Sequence, residues 1–266
     1  MVERIKQRAW EAALAQVAID YNARPEDLLR EGVVVTEAGD LPGRRRYAPG
    51  APFFQMVTTG KGAVITAHPS LHGRLKSWAG RCLDEKREGH RLFEYPKLRA
   101  LEDLLLPQGW RLMGVHHMFL PGREFSAALP EAFSYQWYDR ETVKAFYPNR
   151  LWPNALSQEE NSLRPDVIAL AAFDGEKMAG LAGASADGET LWQVGIDVLP
   201  EYRSRGLGKA LVEALCAKIA QQGRLPFYGA AAANLHSQNI AVSCGFFPAW
   251  VEVSSQQVST ETEELG

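Results

Sequence analysis

The chain has 266 residues, 46% of them hydrophobic, and a net charge of −3. That suffices for one large domain or two small ones with a sizeable core, and the slight acidity excludes a global basic field for collecting nucleic acid or an anionic membrane. Three cysteines, Cys82, Cys216 and Cys244, lack metal-ligand spacing, so we expect free thiols and no metal; with no apolar run of membrane-spanning length and no signal-peptide core in the opening residues, we expect a cytoplasmic protein.

In chain order, Ile5, Ala9, Ala12 or Leu14, Val17 and Ile19 predict an amphipathic helix over residues 5–21. Asn22-Ala23-Arg24-Pro25 breaks it before a short second helix near Glu26. Residues 33–36 read as a strand. The loop 39–50 carries Arg44, Arg45 and Arg46 in succession, which reads as a solvated charge run rather than an anion grip. Residues 53–58 and 63–67 flank Thr59-Gly60-Lys61-Gly62 as a hairpin. That turn is no Walker loop, because the upstream glycine spacing and the hydroxyl residue after the lysine are missing. Helices are predicted over 69–86, with Pro69 in the first turn, and over 96–106. Residues 110–120 then read as one strand closed by Pro121-Gly122. His116 and His117 are neighbours in it, so they point to opposite faces and cannot be two ligands of one small metal site.

Past Arg123 the pattern is continuous. Residues 133–137 form a strand, Asp139-Arg140-Glu141 opens a short helix, and residues 148–163 are irregular, the place for an element that covers substrate. Strands over 167–173 and 178–185 are joined through Asp174-Gly175, and Asp187-Gly188 leads to the next, which makes an antiparallel meander. In residues 191–198, Trp192, Val194, Ile196 and Val198 alternate with Gln193, Gly195 and Asp197, the period of a strand with two faces. Beyond Pro200, Leu207, Leu211, Leu215 and Ile219 recur every fourth residue on one face of a helix that Gly223 stops. A strand over 226–231, a helix over 234–243 stopped by Gly245, a strand over 246–253 and a polar, acidic, frayed tail over 254–266 complete the chain.

Between strand and helix lies Arg203-Ser204-Arg205-Gly206-Leu207-Gly208-Lys209. The first N–H groups of a helix have no partner inside it, glycines admit an anion to them, and three cations add charge, so a phosphate or pyrophosphate is the expected guest. The order Arg203, Gly206, Gly208 resembles the acetyl-CoA loop of the GNAT superfamily of N-acetyltransferases. A second segment, Asn234-Leu235-His236-Ser237 followed by Gly245-Phe246, is similar to the family's last helix. The resemblance covers roughly residues 131–253.

It implies an α/β fold in which residues 126–266 form a GNAT domain with a mixed, mostly antiparallel sheet whose parallel fourth and fifth strands, 191–198 and 226–231, splay apart. Residues 1–125 would form a smaller N-terminal α/β domain that loosely repeats the later order, like a degenerate GNAT half. Acetyl-CoA is the implied co-substrate. Ile196 and Val198 would offer backbone groups to its pantetheine arm, Arg203, Ser204, Arg205, Gly206, Leu207, Gly208 and Lys209 would take the pyrophosphate, and Asn234 with Ser237 would touch the pantetheine or its linker. A small-molecule or peptide amine would attack the thioester, with a backbone N–H near Val198 stabilising the oxyanion. The family's usual tyrosine acid falls here on Ala241. Tyr228 or solvent is left to protonate the thiolate, and Asp197, Glu201, Glu159 or water to act as base. A non-catalytic acyl-CoA sensor is the rival reading.

Overall fold

The computed structural model describes residues 2–83 and 88–258. The first half contains α1 (Val2–Asp20), β1 (Val33–Glu37), β2 (Phe54–Thr58), β3 (Ala63–Ala67), α2 (His72–Cys82), α3 (Tyr95–Leu105), β4 (Trp110–Leu112) and β5 (His116–Pro121). The second contains β6 (Ser134–Asp139), β7 (Asp166–Asp174), β8 (Lys177–Ala186), β9 (Leu191–Val198), α4 (Leu207–Gln221), β10 (Leu225–Ala231), α5 (Leu235–Ser243) and β11 (Phe246–Gln257). The chain divides into two compact units that interleave in sequence.

The first unit takes the described residues of Met1–Gln16, Gly43–Pro49 and Met118–Ala249. Its strands run in the order β5, β10, β9, β8, β7, β6. β9 is parallel to β10 and antiparallel to β8, and β7 is antiparallel to both β8 and β6. Strand alternation sends Ile168, Leu170 and Ala172 to the face carrying Leu207, Leu211, Leu215 and Ile219 of α4, and Ala169 and Ala171 to a second face with Val143, Trp152 and Leu156. Each large side chain buried under α4 contributes about 1.5–3 kcal/mol. Gly223, at φ +72°, ends α4 in the left-handed conformation that glycine adopts freely.

The second unit takes the described residues of Val17–Pro42, Gly50–His117 and Trp250–Gly266. Here β1 lies parallel to β3, β3 antiparallel to β2, and the later residues of β11 antiparallel to β2 and to β4. Leu75 and Trp78 of α2 and Leu101 and Leu105 of α3 close the core over Phe54, Met56 and Ile65. The α/β class and the GNAT-type sheet, in which the parallel β9 and β10 stand beside antiparallel strands, are as expected.

Four local expectations are corrected. The strand expected over 110–120 is two, β4 and β5, interrupted at Met113-Gly114-Val115. Residues 254–257 of the expected frayed tail are strand instead, because Ser254 pairs with Gln55 and residues 255–257 pair with β4; residues 259–266 lie outside the described set. The helix expected over 69–86 opens with a 3-10 turn, Pro69–Leu71, and continues as α2 to Cys82, with residues 84–87 outside the described set. Arg44 and Arg45 are buried, 8% and 3% exposed, not a solvated run. The Arg45 guanidinium lies over the Phe227 ring at 5.5 Å and donates to the Tyr47 hydroxyl at 3.0 Å, contacts that offset part of the cost of leaving water.

Candidate functional site

The site is built where β9 ends and α4 begins. After Val198 the chain makes a 3-10 turn, Pro200–Tyr202, and then passes through two left-handed residues, Ser204 at φ +60° and Gly206 at φ +79°. Gly206 caps α4 with no side-chain hydrogen bond, and the first helical bond runs from Ala210 N–H to its carbonyl. The N–H groups of Leu207, Gly208 and Lys209 therefore have no intrahelical acceptor. The two glycines do different work. A Cβ on Gly206 would meet nothing within 4 Å, so its glycine answers to the positive φ, whereas a Cβ on Gly208 would touch Val198 at 3.4 Å and Ile196 at 3.8 Å. Gly208 thus lets the first turn of α4 lie close on β9. Arg203, Ser204, Arg205 and Lys209 are exposed around the turn. Arg203 Nε donates to the Val198 carbonyl at 2.9 Å, and the Arg205 guanidinium sits over the Tyr202 ring at 5.8 Å.

The sheet opens beside this turn. β9 and β10 pair over four residues only, Leu191 to Val194 against Leu225 to Tyr228, yet β9 continues to Val198 and β10 to Ala231. On the other side of β9, Leu199 N–H donates to the Ala179 carbonyl at 3.0 Å, and the antiparallel ladder with β8 alternates from there. Residues 199, 197 and 195 consequently turn their backbone groups to β8, while those of Val198 and Ile196 point into the opening.

Tyr228 stands at the last paired position, 3% exposed, with its ring edge-on to Phe246 at 6.1 Å. Burial pushes its phenol up to about 12, against a smaller lowering by the hydrogen bond with Ser237. Asn234 caps α5, its Oδ1 accepting Ser237 N–H at 3.1 Å, so Tyr228, Asn234 and Ser237 meet at one helix start. Ala241, in the usual tyrosine place, is fully buried.

Asp197 is on the other face of β9. Its Oδ2 accepts the backbone N–H groups of Asn154 at 2.8 Å and Ala155 at 2.9 Å, and its Oδ1 accepts the Asn154 side-chain amide at 2.6 Å. Beneath the same segment, Gly183 and Gly195 face each other across β8 and β9, and a Cβ on either would collide with the backbone oxygen of Ala155 or Asn154. The segment is braced from within by Asn149, which bonds the Trp152 and Leu156 backbones, and by Asp166, which accepts from Ser157 N–H at 2.9 Å and from the Tyr147 hydroxyl. The irregular residues 148–163 are therefore a fixed strap on the sheet. Glu201 is paired with Lys177, whose ammonium holds that carboxyl below its usual range. Sequence reasoning missed Asn154, Gly183 and Gly195 as members of the site; a glycine inside a strand, which marks close backbone approach, was the available signal.

Residues 131–246 match the Acetyltransferase (GNAT) family. This stretch is a GNAT acetyltransferase domain. The GNAT family in general uses acetyl-CoA, and the domain here holds the whole turn, Arg203 to Lys209, and both splayed strands. No curated protein matches the chain. Among solved structures, it is similar to a putative GNAT acetyltransferase from Novosphingobium aromaticivorans, at 17% identity over 57% of this chain and 69% of that one with a TM-score of 0.43. It is also similar to a tandem GNAT protein from the clavulanic acid biosynthesis pathway, at 15% identity over 81% and 82% with a TM-score of 0.45. A putative acetyltransferase from Salmonella typhimurium, solved with acetyl-CoA, matches at 13% identity over 50% and 97% with a TM-score of 0.33. Among the described residues no cluster of three His, Cys, Asp or Glu could hold a metal, and no helix is long and apolar enough to cross a membrane.

Proposed function

We propose that the GNAT domain transfers an acetyl group from acetyl-CoA to the amine of a small molecule or peptide, by direct attack in a ternary complex. The observation that carries the reading is the four-residue pairing of β9 with β10. It leaves the backbone of Ile196 and Val198 facing an opening that leads to the unpaired N–H groups of α4. In this reading Leu207, Gly208 and Lys209 bind the pyrophosphate with Arg203, Ser204, Arg205 and Gly206 around them, the pantetheine lies along Ile196 and Val198, and Asn234 and Ser237 flank it.

The neutral amine attacks the acetyl carbon and Val198 N–H stabilises the oxyanion. The carbon–sulfur bond then breaks, the amine proton leaves to water, and the thiolate takes a proton. Burial raises the Tyr228 phenol to about 12, which makes it a poorer proton donor to sulfur than an ordinary phenol. Tyr228 accordingly serves as a hydrogen-bond donor, and solvent delivers the proton. Asp197, with three donors on its carboxylate, holds the strap rather than the amine proton, and the acceptor binds alongside that strap.

The full chain incubated with acetyl-CoA and a panel of amines should release free thiol only when the right amine is present. Saturable acetyl-CoA binding with no thiol release from any amine would instead favour the sensor reading, which the alanine at 241 supports.

A further inference from the structure

The first unit contains a second cavity, of about 530 Å³, at the far end of α4 from the Gly206 turn. Its volume lies within the range of small-molecule pockets. Ala217, Ala220, Leu225, Pro226, Phe125 and Ile5 give it an apolar floor, and Arg8, Arg123 and Arg224 stand at its rim. α4 has fifteen residues, so the two ends lie about 20 Å apart. This cavity is not part of the cofactor cleft.

Its charges are unequal in their commitments. Arg123 is held by Glu213 at 2.8 Å and by the Glu124 carbonyl at 2.9 Å. The guanidiniums of Arg8 and Arg224 have no ion-pair or hydrogen-bond partner among the described residues. The carboxylate of Glu124 also lies at the rim, leaving a net excess of positive charge. The C-terminal carbonyls of α4, which would repel an anion, are engaged: Lys218 and Ile219 accept from Gln222, Ile219 also from Arg224, and Ala220 from Gly223. Two uncommitted guanidiniums above an apolar floor fit a ligand with one carboxylate and a hydrocarbon body, because the carboxylate can take paired N–H donors while the body leaves water.

We infer that this cavity binds an amphiphilic monocarboxylate, at a site separate from that of acetyl-CoA. Calorimetric titration of the full chain with octanoate tests it. Saturable binding with Kd near or below about 1 mM is expected, with acetate, which lacks the body, and octanol, which lacks the charge, each at least about tenfold weaker. Arg8→Glu with Arg224→Glu, both on exposed side chains, should weaken octanoate at least about tenfold without moving the melting temperature. Ala220→Trp should block the cavity to the same effect. Coenzyme A at saturation should leave octanoate binding in place. Failure of octanoate to saturate, unchanged affinity in the charge-reversal and Ala220→Trp variants, or complete displacement by coenzyme A would each overturn the inference.

Discussion

Asp197 and Asn154, 43 residues apart in sequence, are joined twice: the aspartate accepts the asparagine's backbone N–H through one oxygen and its side-chain amide through the other. A carboxylate so engaged positions a loop. Asp197→Asn turns one acceptor into a donor facing donors, and hydrogen bonds to charged groups are worth about 1.5–3 kcal/mol. We expect the variant to keep its acetyl-CoA affinity, to lose about 1–3 kcal/mol of stability, and to raise KM for the acceptor more than it lowers kcat. Its activity relative to the parent should stay level from pH 6 to 9. A deficit that is recovered as pH rises would identify Asp197 as the general base.

Gly195→Ala places a methyl group against the Asn154 carbonyl. Overpacking of this kind costs about 1–3 kcal/mol, and here the strap can yield by lifting from the sheet. The expected signature is a lower melting temperature and a weakened acceptor KM. Combined with Asp197→Asn, the penalties should sum to less than the two alone, since both release the same segment. Full additivity would show that the glycine and the aspartate act on different things.

The two glycines of the phosphate turn should be separable. Gly206→Ala forces a Cβ into a left-handed residue at a cost of about 1–2 kcal/mol, and Gly206→Asn, which tolerates that conformation better, should lose less. In the parent, acetyl-CoA at a hundredfold excess over its dissociation constant should add about 2.7 kcal/mol of stability, read as a rise in Tm. Gly208→Asp should abolish that rise, because its carboxylate repels the pyrophosphate and its Cβ already meets Val198. A Gly208→Asp protein that retains the ligand-induced rise would mean the pyrophosphate binds elsewhere.

Tyr228 makes a pH prediction. Its phenol, near 10 in the unfolded chain and about 12 in the folded one, keeps its proton longer when buried. The resulting stability is complete below pH 10 and is lost as pH rises toward 12, amounting to about 2–3 kcal/mol. Tyr228→Phe should flatten that part of the alkaline unfolding curve, measured as the difference between parent and variant. The same variant should lower turnover less than about tenfold, whereas loss of a true general acid costs about a hundredfold or more.

What the sequence made legible is what is local. The strand alternation of residues 191–198, the four-residue repeat of α4 and the glycine turn between them each lie within one stretch of chain, where period and turn chemistry act directly. The roles of Asp197 and Arg45 were illegible because each depends on a partner far along the chain, Asn154 in one case and Phe227 in the other, and no periodicity links such pairs. The break at Met113-Gly114-Val115 went unread for a similar reason: Trp110 to Leu112 pair with residues 255–257 at the far end of the chain, and only that pairing decides where the strand stops.

The first unit draws on three separated stretches of chain, and this limits how portable the acetyltransferase half can be. A fragment begun at residue 126 would leave behind Lys6, whose ammonium covers the Phe247 ring at 4.7 Å, and Arg45, which covers Phe227 at 5.5 Å. It would also shed Ile5 and Ala9, and with them one wall beside α4. Such a truncation would carry every residue of the phosphate turn and yet present bare aromatic surface to water. A fusion or domain transplant built from this protein should therefore keep the first sixteen residues and the 43–49 loop, even though neither contributes to the phosphate turn.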